Sequence, residues 1–373
     1  MGGRKKRVLS LADVSGPIAS ATDALERLAF EGKIELFCPN PLGELADKAL
    51  EGFDAVITRP GSAVILPKHV SYARKPLCVA TLSVGTSHLT EIMKMEGVNV
   101  LSAKGTNAEG TATLGLMLGD LLLRPVQLGC EQMGEGTFDR RIFDTSRRPD
   151  GLEWIVFGGG HVVRSMLWGI YSRNPKQITV VNRTMNPAKL EELISDFPTA
   201  CCLPDPEYTP VGWCQRLIGK GNRELPLYGV KAEWPIDAMS IPSLEEADIV
   251  SLNIDCNAAT MRFCDRSLLE SMKRGAVLIN MGRGELVDEN VVLEALESRH
   301  LGGYAADVLC QQAESERHPR FSPIWARYLA DKQLPIEKRL NMILTPHVGG
   351  HVLPDIKETA SQVVNNLIEQ LGV

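Results

Sequence analysis

Glu153-Trp-Ile-Val-Phe-Gly-Gly-Gly-His-Val-Val-Arg-Ser-Met-Leu-Trp168, followed by Gln177-Ile-Thr-Val-Val-Asn-Arg-Thr184, decides the fold of this chain. The apolar run Trp154 to Phe157 meets three glycines, then an apolar-rich segment without helix breakers, then a second β-branched run. That order reads as strand, tight turn, helix, strand. It reads as a dinucleotide-binding fold. Gly158 can take the tight turn, and Gly160, with no Cβ, lets a pyrophosphate approach backbone N–H groups at the start of the helix, where the dipole favours an anion. Val163 stands where the usual pattern has its third glycine, so the helix packs less closely on its strand or the backbone shifts. Three glycines after a strand also suit an ordinary βα turn.

The second strand ends on Asn182, about 20 residues further on, where such folds place the residue that reads the adenosine ribose. An Asp or Glu there binds the 2'-hydroxyl and repels a 2'-phosphate; Asn182 removes that charge. Arg183 can stack on adenine or pair with phosphate, and Thr184 offers a hydroxyl, so the trio favours NADP over NAD. The bland alternative is a plain strand end with a solvated arginine.

At 373 residues the chain is long enough for two domains. Its 44% apolar and 23% charged composition is that of an ordinary globular protein, and the net charge of -6 argues against a nucleic-acid surface. The basic start, Arg4-Lys-Lys-Arg7, leads into a short strand-like run and does not read as a signal peptide. The apolar run from Leu114 to Leu123 is too short to span a bilayer and holds Asp120, so no membrane span is expected. Nine cysteines without a Cys-x-x-Cys pair suit a reducing cytoplasm better than a disulfide framework or a metal site.

Between residues 7 and 103, short apolar runs (Val8 to Leu11, Ile34 to Cys38, Asp54 to Thr58, Leu77 to Ala80, Val98 to Leu101) alternate with helical patterns. Alternation of this kind predicts a parallel sheet covered by helices, with ligands beyond the carboxyl ends of its strands. The loop Thr81 to His88 lies there, and Gly85 permits a close backbone approach. Asn107 stands ready to cap a long apolar helix, Ala108 to Leu123, and the polar segment Glu131 to Gly151 reads as a surface connection. Residues 197–242 carry prolines at 198, 204, 206, 210, 226, 235 and 242 and read as an irregular insertion.

Two later blocks carry candidate chemistry. In Gly275-Ala-Val-Leu-Ile-Asn-Met-Gly-Arg-Gly284, Arg283 sits between glycines just past a strand, a fork able to pair with a carboxylate. In Asn341-Met-Ile-Leu-Thr-Pro-His-Val-Gly-Gly-His351, His347 follows a strand end and is suited to moving a proton near neutral pH. A solvated arginine and a structural histidine are the alternatives. The closing segment, Asp355 to Leu371, has apolar residues at helical spacing and should pack onto the first domain.

Taken together, Val84-Gly85 with His88, Asn107-Ala-Glu109, Gly158-Gly-Gly160, Ala247 to Leu252, Lys273 to Asp288, Gly303 to Val308 and Thr345 to Gly350 resemble the D-isomer-specific 2-hydroxyacid dehydrogenases. That family also holds NAD-dependent formate dehydrogenase and the C-terminal-binding corepressors. The resemblance implies two doubly wound α/β domains, Rossmann-like or flavodoxin-like, with a cleft between them. Residues 1–107 and 347–373 would form the substrate domain, and 108–346 the NAD(P)-binding domain.

Arg283 would anchor the substrate carboxylate, His347 would exchange the hydroxyl proton, and Asp307 would hold the nicotinamide carboxamide. His161 and Val162 would offer amides to the pyrophosphate, Cys256 and Met281 would line the cofactor, and Val84, Gly85 and Asn107 the substrate. Where the family has a glutamate partner for the histidine, counting from Asp307 arrives at Gln312, as in formate dehydrogenase. Gln312 can orient the ring but not raise its pKa, so His347 should be neutral more often. The implied activity is hydride transfer between NAD(P) and a small anionic 2-hydroxy or 2-oxo acid in a homodimer. Formate-like oxidation of another small anion and a non-enzymatic nucleotide-sensing binder are the alternatives.

Overall fold

The computed structural model describes residues 4–12, 19–39, 45–60, 62–195, 200–201, 212–218, 224–231, 241, 243–310 and 321–373. The chain divides into two compact units, Met1–Asn107 with Gly350–Val373, and Ala108–Gly349.

The first unit holds β1 (Lys6–Ser10), α1 (Ala19–Phe30), β2 (Ile34–Phe37), β3 (Ala55–Thr58), the single turn α2 (Pro67–Val70), β4 (Leu77–Thr81) and β5 (Val98–Leu101). Its five strands are all parallel, in the order β2-β1-β3-β4-β5. Successive side chains of a strand face opposite ways, and here both faces are buried. Ala55 and Ile57 join one cluster with Val8, Leu25, Val363, Val364 and Leu367, whereas Val56 joins the other with Leu9, Leu50 and Val79. The C-terminal helix, Leu353–Leu371, thus covers one face of this sheet, as its helical periodicity predicts.

The second unit runs α3 (Ala108–Leu123), α4 (Val126–Gly134), β6 (Glu153–Phe157), α5 (His161–Ser172), β7 (Gln177–Asn182), α6 (Pro187–Ile194), β8 (Ala200–Cys201), β9 (Gly212–Ile218), β10 (Glu224–Lys231), β11 (Ile249–Leu252), α7 (Arg266–Ser271), β12 (Ala276–Asn280), α8 (Glu289–Glu297), β13 (Leu301–Ala306), α9 (Pro323–Asp331) and β14 (Met342–Leu344). The C-terminal helix described above is α10. The strand order is β14-β13-β12-β11-β6-β7-β10-β9-β8, parallel from β14 to β10 and antiparallel over the last two pairings. Because β6 has β7 on one side and β11 on the other, the chain reverses its direction of travel across the sheet there, the usual place for a ligand.

Period-two burial recurs in β6, where Trp154 and Val156 face one core cluster and Ile155 and Phe157 the other. Each such large apolar side chain contributes about 1.5–3 kcal/mol by leaving water. Val163, at the position of the missing third glycine, is fully buried, and the close approach moves to the crossing of α3 with α5. A Cβ on Gly115 would sit 2.8 Å from Met166 Cε, and one on Gly169 would land on Leu116 Cδ1.

Two expectations need correction. The segment 197–242 is not uniformly irregular, since residues 200–201, 212–218 and 224–231 are strands that extend the sheet. Pro226 misleads because it lies in the part of β10 that pairs only with β9; the pairing with β7 begins at Leu227. The remainder of that insertion lies outside the described residues. The polar segment 131–151 is also more than a connection, because α4 runs through its start and Arg339 pairs with Glu131 at 2.9 Å and with Glu135.

Candidate functional site

The glycine turn lies at the carboxyl end of β6. Gly158 has φ +124°, and a Cβ there would sit 2.5 Å from the Asn253 carbonyl oxygen at the end of β11, so glycine is required twice over. Asn182 leans its side chain over Gly159 and donates from Nδ2 to the Thr184 hydroxyl at 3.1 Å. Asn182 and Thr184 therefore form one group beside the glycine turn, and Arg183 projects exposed between them.

Gly160 caps the twelve-residue α5, and nothing lies within 4 Å of the place a Cβ would occupy. His161 is exposed and Val162 half-buried at the first positions of that helix. An exposed, unobstructed helix N-terminus next to a turn that only glycine can make fits the pyrophosphate of a dinucleotide.

The second cluster joins the turns after β12, β13 and β14. Asn280 ends β12, and its side chain holds the Arg283 turn from both sides. It donates to the Arg283 carbonyl at 2.9 Å and accepts from the Gly282 amide at 3.1 Å. The flanking glycines are required by close approach and not by φ. A Cβ on Gly282 would sit 2.6 Å from the Ile254 oxygen, and one on Gly284 would land on the Leu309 carbonyl group. The turn is thus pressed between two neighbouring loops. Arg283 Nη1 donates to the Gly282 carbonyl at 2.7 Å, which leaves the fork's remaining donors for a ligand.

Asp307, 3% exposed at the end of β13, organises the third turn. Its Oδ1 accepts from the Thr345 hydroxyl at 2.5 Å and the Val348 amide at 2.8 Å, and its Oδ2 from the Gly349 amide at 2.7 Å. Inside that turn His347 takes a left-handed conformation, φ +55°, uncommon for a residue with a side chain and maintained only where surroundings dictate it. Met281 bridges the two turns, because a Cβ on Gly349 would lie 3.4 Å from its Cε.

His347 and Arg283 are close enough to sense each other's charge. The packing around the imidazole pushes its pKa below the ordinary 6.5; Asp307 opposes that shift and the Arg283 guanidinium reinforces it. Although His347 presents surface to solvent, desolvation outweighs the opposing pull of Asp307. Cys256, half-buried past β11, has its thiol pKa raised by burial first and by Glu285 second, with Arg283 pulling the other way, so it belongs to the same neighbourhood. Arg283, Asp307, Met281, Cys256 and His347 therefore share one end of this sheet. Gln312 lies outside the described residues.

Val84, Gly85 and Asn107 belong to the first unit. The Thr81 to His88 loop is laced at the carboxyl end of β4 by Thr81 Oγ1 with Ser83 Oγ at 2.8 Å and by Ser83 Oγ donating to the Gly85 carbonyl at 2.8 Å. Asn107 rests against Gly350, where a Cβ would collide with its side chain.

Sequence reading missed Asn280 and Thr345. Both are small polar residues at strand ends just before a turn, the residue type that ties its own backbone, and that signal was available.

With this geometry in place, comparison with known proteins shows what the chain is similar to. Residues 237–349 match the model described as D-isomer specific 2-hydroxyacid dehydrogenase, NAD binding domain. A D-specific alpha-keto acid dehydrogenase of Enterococcus faecium is 34% identical over 131 residues, 34% of this chain and 38% of that protein. The mitochondrial formate dehydrogenase of Hordeum vulgare is 23% identical over 311 residues, 82% of this chain and 67% of that protein. The crystal structure of the TT0316 protein of Thermus thermophilus superposes with a TM-score of 0.68 at 25% identity, covering 98% of this chain and 97% of that one. Over residues 237–349 the chain is thus similar to the NAD-binding domain of the D-isomer-specific 2-hydroxyacid dehydrogenases, and over most of its length it is similar to formate dehydrogenases.

Proposed function

We propose that this protein is an oxidoreductase that moves a hydride between a nicotinamide dinucleotide and a small 2-hydroxy or 2-oxo acid. The observation that carries the reading is that the Arg283 and His347 turns, fixed by Asn280 and Asp307 and bridged by Met281, lie at the same sheet end as the open glycine turn. A dinucleotide would lie with its pyrophosphate against the amides of His161 and Val162, its adenosine end towards Asn182, Arg183 and Thr184, and its nicotinamide end towards Cys256, Met281 and Asp307. When bound, its nicotinamide supplies or accepts the hydride.

The chain's own groups do the rest. The Arg283 fork pairs with the substrate carboxylate and draws electron density from the carbonyl beside it. His347 gives a proton to the carbonyl oxygen in reduction and takes it from the hydroxyl in oxidation. Asp307 keeps the His347 turn in its strained form. A carboxylate offers roughly four lone-pair sites, and Asp307 uses three on the turn, so Oδ2 retains one for a nicotinamide carboxamide N–H.

The family model is that of an NAD-binding domain. Within that, we assign a preference for NADP to the uncharged Asn182 and its neighbours Arg183 and Thr184. We also assign Val84, Gly85 and Asn107 to the substrate. A homodimer is supported by the exposed apolar side chains Met117, Val126, Met133 and Phe138 of the second unit. Among the described residues no helix is long and apolar enough to cross a membrane. The free thiols at Cys38, Cys78, Cys130, Cys256, Cys264 and Cys310 suit the cytoplasm, where we place the protein.

One observation favours a second reading. A histidine held below its ordinary pKa is neutral at pH 7, and oxidation of formate, which has no hydroxyl proton to remove, needs nothing more from it. The test is a panel: NADPH and NADH with 2-oxo acids, then NADP and NAD with hydroxy acids and formate. Turnover of an oxo acid supports the first reading and turnover of formate alone the second. Tight cofactor binding without turnover of any acid would replace both with a nucleotide-sensing binder.

A further inference from the structure

Glu289 begins α8, just beyond the Arg283 turn, and is only 4% exposed. Its Oε1 accepts the Cys310 amide at 2.9 Å, its Oε2 is buried without a hydrogen bond, and the Ser322 hydroxyl and the Ile324 amide lie close enough to the carboxylate to favour its charged form. Cys310 belongs to the segment that leaves β13 through Asp307. Ser322 is the N-cap of α9, where its hydroxyl accepts the Trp325 amide at 3.0 Å. One buried acid thus links the stretch after β13 to the start of α9. Burial disfavours its charged form and raises its pKa, an effect that Ser322, Cys310 and Ile324 only partly offset.

The stretch it gathers is the seat of the Arg283 turn. A Cβ on Gly284 would fall on the Leu309 carbonyl carbon and the Cys310 nitrogen, so any displacement of 309–310 is passed directly to the backbone that carries the guanidinium. Packed backbone transmits such a shift without absorbing it.

We propose that Glu289 is a positioning residue: by tying residues 309–310 to the start of α9 it fixes the surface on which the Arg283 turn rests, and so the aim of the guanidinium at a carboxylate-bearing substrate. This rests on Arg283 as the substrate anchor. Glutamine at this position keeps the shape but offers the donors an amide in place of a full acceptor, whereas aspartate keeps the charge and draws it back.

The experiment compares the full-length protein with Glu289→Gln and Glu289→Asp in three readouts: steady-state constants for an active 2-oxo acid, NADPH affinity by fluorescence, and hydrogen exchange of backbone amides. Glu289→Gln should raise the KM for the oxo acid about tenfold, the factor expected when one charged hydrogen bond is misaligned. NADPH affinity should stay within about twofold, and faster exchange should be confined to the residues around 310 and 324, with Glu289→Asp recovering part of the loss. An unchanged KM would overturn the proposal. So would a uniform fall in stability, NADPH affinity and turnover, because a merely structural acid behaves that way. If the parent protein turns over no oxo acid, the functional reading fails by itself; localised exchange in Glu289→Gln then still supports the tie to 309–310, and unchanged exchange overturns it.

Discussion

Asp307 grips His347 from behind, through the backbone: the amides of Val348 and Gly349, the two residues after the histidine, both donate to its buried carboxylate, at 2.8 and 2.7 Å. The same negative charge stabilises a protonated imidazole, while burial and Arg283 destabilise it, and the balance lies below 6.5. Asp307 therefore acts on both the position and the acidity of the proton carrier.

The first prediction concerns that balance. In an NMR titration of the imidazoles, His347 should titrate below 6.5, lower still in Asp307→Asn and higher in Arg283→Met. Reduction needs the imidazolium, so its rate should fall as pH rises through this value; oxidation needs the neutral ring and should fall as pH drops through it. For stability, a depressed histidine pKa means that the unfolded chain binds the extra proton. The contribution of His347 is thus complete above 6.5 and is lost as pH falls below it. A His347 resonance titrating above 6.5 contradicts the assignment.

The glycines should separate by role. Gly284→Ala drives a methyl group into the Leu309 backbone, which cannot move aside as a flexible side chain does, and should cost about 1–3 kcal/mol in denaturant unfolding. Gly160→Ala meets open space at a permitted backbone conformation, so stability should change by less than about 0.5 kcal/mol while dinucleotide affinity drops about tenfold. Equal effects of the two substitutions on unfolding would remove the distinction.

Cofactor choice should turn on one side chain. Asn182→Asp places a carboxylate where a 2'-phosphate would lie and should shift the ratio of kcat/KM for NADPH over NADH towards NADH by at least about tenfold. Arg183→Ala should weaken NADPH alone. If neither variant moves the ratio, the trio does not read the ribose.

Much of this was legible in the chain because the signals are local. Strand–glycine–helix order at 153–168, alternation between residues 7 and 103 and helical spacing in 355–371 each follow from near neighbours in sequence, and each stands in the structure as an element of the expected kind. Less legible were features set by distant partners. Nothing near Pro226 says that its strand pairs with β9 on one side before β7 joins on the other. Nothing beside Arg283 says why glycines flank it; they are there because the loops at 254 and 309 press on the turn. Asp307 was assigned to the cofactor by resemblance, and its grip on the 345–349 turn depends on which strands lie side by side.

The most direct test of the central claim follows a labelled hydride. Dinucleotide carrying deuterium at the reactive nicotinamide carbon is incubated with the protein and a 2-oxo acid, and the product is read by NMR. Deuterium on C2 of the 2-hydroxy acid, lost together with turnover in Arg283→Ala and in His347→Ala, is the predicted result. Label that stays on the dinucleotide with every acid tried, or transfer that persists undiminished in both variants, would contradict the account.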